Sequence, residues 1–130
     1  MTGVQTCALP IFSTPCDIFA PCALGGVINS QTVSKLKCAV VAGAANNPLS
    51  APEMAEELHK RNITYAPDFA INAGGLIHVA SELDGFNSKA VEDKTRKIYD
   101  TILTILTRAR TEKVSPLHLA ITLATERLKK

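Results

Sequence analysis

From Cys16 onward the apolar positions follow two rhythms, short unbroken runs and longer stretches in which an apolar residue returns every three or four positions. The runs at residues 17–20, 38–42 and 63–65 predict three β-strands. The second run is small and β-branched without polar alternation, which fits a parallel strand covered on both faces. Residues 21–30, with Gly25 and Gly26, and residues 43–49 read as loops, and residues 32–36 as a short helical turn. Ser50-Ala51-Pro52-Glu53 matches a capping box with proline in the first turn, and Met54, Ala55 and Leu58 predict the buried face of the helix it opens. Asn62 ends that helix. Strand, loop of small residues and helix, repeated, is α/β grammar.

Beyond residue 72 the helical rhythm takes over. Leu76, Ile77, Val79, Ala80 and Leu83 fit one helix, and Val91, Thr95, Ile98, Ile102, Ile105 and Ala109 make the apolar face of a second. Lys94, Arg96, Lys97, Arg108 and Arg110 fall mostly off that face and read as its solvated side. Ser115-Pro116 supplies an N-cap and a first-turn proline for a last helix, with Ala120, Leu123 or Ala124, and Leu128 as its stripe. Residues 1–15 join neither rhythm and break at Ser-Thr-Pro. Met1 to Phe12 resembles a translated sequencing adapter, so residues 1–15 are expected to be a leader foreign to the domain, and Cys7 is given no role. Residues 16–130 then form one partial domain with a C-terminal helical segment.

Composition narrows the function classes without choosing one. The chain has 130 residues, 46% of them hydrophobic and 20% charged, which is ordinary globular usage. A net charge of +2 with no basic block beyond Lys129 and Lys130 gives no reason to invoke nucleic acid or an anionic membrane. No apolar run approaches the roughly 20 residues that span a bilayer. The start lacks the basic opening and long apolar core of a signal peptide, so a cytoplasmic location is expected. Cysteines at 7, 16, 22 and 38 form no CxxC pair, and His59, His78 and His118 do not cluster with them, so no metal site is expected. Cys22 and Cys38 sit in apolar surroundings and read as small buried hydrophobes. His78 reads as a packing or surface residue.

The candidate chemistry lies where the strands end. In open parallel sheets the ligand crevice lies beyond the carboxyl ends of the strands. Here those ends carry Pro-Cys-Ala-Leu-Gly-Gly, Gly-Ala-Ala-Asn-Asn-Pro-Leu and Ile-Asn-Ala-Gly-Gly, so three loops rich in small residues should converge on one rim. Asn46, Asn47 and Asn72 bring amides that bind neutral amide or hydroxyl groups without adding charge. That set suits the carboxamide and ribose end of a nicotinamide cofactor better than a phosphate. Taken alone, Asn72 before Ala-Gly-Gly also fits a helix cap with packed glycines.

The stretches Asp-Ile-Phe-Ala-Pro-Cys-Ala-Leu-Gly-Gly, Val-Val-Ala-Gly-Ala-Ala-Asn-Asn-Pro-Leu and Tyr-Ala-Pro-Asp-Phe-Ala-Ile-Asn-Ala-Gly-Gly, in this order and spacing, resemble the coenzyme domain of the glutamate, leucine, phenylalanine and valine dehydrogenases, the leucine dehydrogenase branch most of all. The resemblance runs from about residue 16 to residue 128. It implies the second half of a Rossmann-like doubly wound sheet followed by C-terminal helices. It also implies NAD-dependent oxidative deamination of a branched-chain L-amino acid to a 2-oxo acid and ammonia, by an enzyme that is homo-oligomeric at full length. By resemblance, Ala23 and Leu24 lie along the cofactor, Asn46 and Asn47 near the nicotinamide ribose or carboxamide, and Asn72 between cofactor and substrate. Thr95 and Ile98 line the pocket for the substrate side chain.

The chain also departs from the family pattern. No Gly-x-Gly occurs in it, so it does not encode pyrophosphate binding on a glycine-rich loop. Neither the family's catalytic lysine motif nor the acidic residue that favours NAD over its phosphorylated relative is found. The chain alone is therefore expected to be inactive. The alternative is a non-catalytic nucleotide-binding or interaction module that reuses half of the fold.

Overall fold

The computed structural model describes residues 10–83 and 85–129, so the expectation for the leader, with Cys7, lies outside the described residues up to residue 9. Three short strands, β1 (Ile18–Phe19), β2 (Val40–Val41) and β3 (Thr64–Tyr65), form a parallel sheet in the order β1-β2-β3. Ile18 stands opposite Val40, and Val40 opposite Thr64. The fold is the mixed α/β arrangement that the apolar runs predict, with helices following the sheet. The strands are shorter than those runs. At the start of β1 the chain bends, and the Asp17 carbonyl accepts from both Ala39 and Val40 N–H, at 3.0 and 3.1 Å. Beyond Ala20, Pro21 has no N–H to continue the ladder.

The core lies under β2 and β3. Ile28, Val33, Leu36, Val41, Ala55, Leu58, Ile63 and Tyr65 form its buried cluster. Phe12 packs against it and against Phe19, ring centroids 5.6 Å apart. Helix α1 (Glu53–Lys60) supplies Ala55 and Leu58 as expected, but the capping box does not form. Its N-cap position is Pro52, without a side-chain cap, and Ser50 lies in a bend two residues earlier. Ser50 N–H donates to the Ile28 carbonyl at 2.9 Å, beside the isolated bridge of Ile28 and Leu49. Glu53 and Glu56 in the first turn face the positive end of the helix dipole. At the other end Asn62 takes the left-handed conformation, φ 57°, and turns the chain toward β3. Arg61 donates to the carbonyls of Val33 and Leu36, tying the short 3₁₀ turn at Val33–Lys35 to α1.

Four more helices follow, α2 (Asp68–Ile71), α3 (Gly74–Leu83), α4 (Ser88–Glu112) and α5 (Pro116–Leu128). Helix α4 is fully buried at Ile105 and Ala109, while Val91, Thr95, Ile98 and Ile102 of the expected face are half-buried. Its N-cap is Asn87, whose side chain accepts from Ala90 N–H at 3.0 Å. Ser115 caps α5 as its sequence predicts, accepting from His118 N–H at 3.3 Å, and donates to Glu56 of α1.

Three burial expectations need correction. In α5 the stripe holds at Ala120 but its end does not, for Leu128 is 87% exposed and Leu119 is the residue fully enclosed. The buried residues of α5, Pro116, Leu119 and Ala120, all lie in its first half. Cys22 is exposed, because the loop after β1 carries it to the surface, while Cys38 is half-buried. In α3 only Ile77 of the predicted apolar set is even half-buried, and Leu76, Val79 and Leu83 face outward.

Gly43 is where the backbones of two loops come closest. A Cβ there would lie 2.1 Å from the Pro21 carbonyl oxygen, and the loops are locked by Ala45 N–H donating to that oxygen at 2.9 Å. Gly43→Ala is therefore expected to destabilise the chain by about 1–3 kcal/mol, an overpacking cost that falls on backbone. Gly75, inside α3 with nothing within 4 Å of its would-be Cβ, is the control. There alanine is expected to be neutral or to stabilise by up to about 1 kcal/mol. Equilibrium denaturation of the two variants checks the contrast.

Candidate functional site

The loops after the three strands do converge, and hydrogen bonds join them. The first loop packs on the second at Gly25, whose would-be Cβ lies 3.0 Å from the Asn47 carbonyl oxygen. Gly26 N–H donates to that same carbonyl at 2.8 Å, and Ile28 N–H to Pro48 at 2.9 Å. Gly26 has φ 68°, a conformation in which a side chain would be strained. Asn47 itself is left-handed at φ 49°, a region that asparagine tolerates better than most residues.

The third loop reaches the second through two residues. Asn72 Nδ2 donates to Asn46 Oδ1 at 2.7 Å, with the carbonyls of Ala44 and Ala45 at 3.5 Å. Asp68 accepts Asn47 N–H on Oδ2 at 2.7 Å and the Tyr65 hydroxyl on Oδ1 at 2.9 Å. Tyr65 is buried with 2% exposure, so its hydroxyl depends on Asp68. Its phenol is pushed well above the ordinary value, first by burial and then by the Asp68 charge and hydrogen bond.

Asn72 does not N-cap the helix that follows it. Its backbone N–H closes α2 on the Asp68 carbonyl at 2.9 Å, and its side chain is aimed at the second loop. A four-residue helix is too short to show a helical period in sequence, so α2 stands where an interruption was expected. The hydrogen bond to Asn46 fixes both amides. Among the described residues Asn72 Oδ1 and Asn46 Nδ2 have no protein partner, which leaves one acceptor and one NH₂ group on the joined amides.

The other expected residues divide. Asn47 sits on the rim, but its side chain makes no hydrogen bond among the described residues, its backbone doing the joining. Ala23 and Leu24 lie in the exposed first loop, Leu24 75% exposed. Thr95 and Ile98 lie on α4 and make no hydrogen bond to the amide pair. Thr95 is the atom nearest to Gly74, 3.8 Å from its would-be Cβ, and its hydroxyl donates to the Val91 carbonyl at 2.8 Å. Ile98 lines a separate cavity of about 300 Å³ between α2, α3, α4 and α5, with Phe69, Ala73 and Ile77 in its wall. Sequence reasoning missed Asp68 and Tyr65. The signal was present, a carboxylate three residues after an aromatic at a strand end, but Pro67-Asp68 reads equally as a turn.

His78 is exposed and stacks edge-on against Phe86, centroids 5.3 Å apart, in keeping with a surface residue. Among the described residues no helix is long and apolar enough to cross a membrane. Among them also, no group of three or more His, Cys, Asp or Glu is placed to hold a metal ion.

A parallel sheet whose strand ends gather amides and small residues into one rim, followed by C-terminal helices, is a mixed α/β fold, and in open parallel sheets ligands bind at that end of the strands. The model of the glutamate/leucine/phenylalanine/valine dehydrogenase family matches residues 2–130, and the chain belongs to that family. It is 47% identical to phenylalanine dehydrogenase of Thermoactinomyces intermedius over 120 residues, which are 92% of this chain and 33% of that protein. It is 45% identical to leucine dehydrogenase of Geobacillus stearothermophilus over 118 residues, 91% of this chain and 32% of that one. The chain thus spans about a third of the length of the curated relatives it matches. Among solved structures, L-tryptophan dehydrogenase from Nostoc punctiforme superposes with a TM-score of 0.87 at 42% identity, covering 91% of this chain and 35% of that one.

The Tyr65–Asp68 pair makes an alkaline prediction. The folded chain disfavours the ionised phenol, so the stability Tyr65 contributes is intact below the unfolded value near 10.0 and is lost as pH rises beyond it. Denaturation between about pH 8 and about pH 11 is expected to show falling stability, and Tyr65→Phe a shallower fall. At the lower pH that variant is expected to be less stable by about 1 kcal/mol, the scale of one lost hydrogen bond.

Proposed function

We propose that these residues form the nicotinamide side of the coenzyme domain in an NAD-dependent dehydrogenase acting on a branched-chain L-amino acid. The observation that carries this reading is the Asn72–Asn46 pair, whose unpartnered acceptor and NH₂ group complement the NH₂ and oxygen of a primary carboxamide. The rim fits such a group. The bonds that join its loops use amides, backbone and the Asp68 carboxylate, whose two oxygens are already occupied, and among the described residues no Lys or Arg takes part in them. When bound, the nicotinamide accepts the hydride that leaves the amino acid α-carbon.

The chain's own residues then have separable tasks. Asn72 and Asn46 orient the carboxamide, with Asn47 beside the ribose, and Ala23 and Leu24 offer apolar surface along the cofactor. The motif resemblance also sets Asn72 at the boundary of cofactor and substrate. Ile98, in its apolar cavity, is the stronger of the two candidates for contact with the substrate side chain, since Thr95 packs on Gly74 instead. Family membership supports the choice of a nicotinamide cofactor, a cytoplasmic location and a homo-oligomer. The preference for NAD and for leucine-like substrates rests on the motif resemblance.

In an enzyme carrying this domain, Asn72→Ala is expected to lower kcat/KM by roughly 1–3 kcal/mol, about five- to 160-fold, the scale of a lost polar contact that orients reactants. The melting temperature should change little. Steady-state kinetics alongside melting curves decide the matter, and an unchanged kcat/KM with a large loss of stability would make Asn72 a loop tie alone. A non-catalytic module would show no leucine-dependent NADH formation at all.

The 130 residues expressed by themselves are expected to reduce no NAD in the presence of leucine and to bind NAD more weakly than micromolar. They contain no Gly-x-Gly loop to hold the pyrophosphate. Calorimetry with NAD and an absorbance assay at alkaline pH check this, and micromolar binding or any leucine-dependent turnover refutes it.

A further inference from the structure

Three described cysteines are free thiols, and two of them lie side by side on neighbouring segments of the sheet. Cys16 N–H donates to the Lys37 carbonyl at 3.0 Å, and Ala39 N–H donates to the Asp17 carbonyl at 3.0 Å. These two bonds bracket Cys38 and set it against Cys16 and Asp17, just before the paired register of Ile18 with Val40. Neighbouring strands run about 4.8 Å apart. That spacing falls inside the roughly 4.4–6.8 Å between α-carbons that a disulfide spans.

The thiols also sense each other. The Cys38 thiol is pushed up, first by burial and next by the charge of Cys16, while Phe19 N–H and Arg61 act the opposite way. Cys16 is exposed and Cys38 half-buried, so reagent reaches the pair from the Cys16 side.

We propose that Cys16 and Cys38 are a reversible dithiol–disulfide pair, oxidised by a small-molecule disulfide such as oxidised glutathione. The Cys16 thiolate attacks one sulfur of the reagent, whose S–S bond breaks and releases one thiol after it takes a proton. The Cys38 thiolate then attacks the Cys16 sulfur of the mixed disulfide and expels the second thiol. The protein loses two hydrogens and two electrons, and the reagent gains both as two thiols. The bridge closes a loop that contains residues 21–26, so oxidation staples edge strand β1 to β2 beneath the first rim loop. Cross-links between adjacent strands are strained, and strained disulfides are the readily reduced ones.

The test uses the full chain with Cys7→Ser, treated with excess oxidised glutathione in native buffer and, separately, in urea. Cleavage after Asp17, Lys35 and Lys37 places Cys16, Cys22 and Cys38 on three different peptides. The expected result in buffer is a peptide pair joined through Cys16 and Cys38, lighter by two hydrogens than its reduced parts, reversed by dithiothreitol, with a raised melting temperature. Adding Cys38→Ser should leave a stable glutathione adduct on Cys16 and unchanged circular dichroism. Persistent adducts on Cys16 or Cys38 in the parent, unreacted thiols, a bridge through Cys22, or a link that forms as readily in urea would each overturn the proposal.

Discussion

The Asp68 carboxylate is the group on which the rim depends. One oxygen takes the hydroxyl of Tyr65, which is rooted among Val41, Leu58 and Ile63 in the core, and the other takes the backbone N–H of Asn47. Both bonds are charge-assisted, the stronger class of protein hydrogen bond. Asn47 then passes the constraint outward through its own carbonyl, which holds Gly26. An unbroken line of hydrogen bonds thus runs from the hydrophobic core through the third loop to the second and the first. The loops have almost no side-chain bulk of their own, so their shape comes from this line.

Such a rim is set before any ligand arrives. Flexible glycine- and alanine-rich loops would ordinarily have to be ordered on binding, and that entropy would be subtracted from affinity. Here the backbone donors of Gly26, Ile28, Ala45 and Asn47 are already taken, and among the described residues the asparagine groups left over are the Asn47 amide and the two ends of the Asn46–Asn72 pair. The floor beneath is held by a different device, the contact of Gly43 with Pro21, which brings β1 and β2 loops together without using a side chain. Small residues here are therefore structural requirements as well as room for a ligand.

Much of this was legible in sequence, for reasons that differ from residue to residue. Short apolar runs declared three strands, and the second run's lack of polar alternation marked it as a parallel strand covered on both faces. Ser115-Pro116 and Asn62 were readable because caps and left-handed positions act within a few residues. Ser50 misled for the complementary reason, since a local capping pattern lost to a long-range bond with Ile28. Cys22 and Leu128 misled because apolar neighbours in sequence do not say which side of a loop or how much of a helix is covered. Among the site residues, the convergence of Asn46, Asn47 and Asn72 followed from topology. The Asp68–Tyr65 tie did not, because a hydrogen bond between a strand end and the next turn leaves no periodic trace.

Helix α4 has a property that its packing makes mechanical. It contains 25 residues, so it is about 37 Å long, and its fully enclosed side chains, Ile105 and Ala109, lie near one end. Thr95, against which Gly74 of α3 rests, lies about 21 Å along the axis from Ala109. A rod gripped at one end and loaded at the other is a lever. A tilt of about 5° around the buried end would carry the far end by roughly 2–3 Å, for a rod of this length. Shape changes too slight to disturb the core at Ala109 would thus reach the helix that starts beside Asn72 as a shift of about 2 Å.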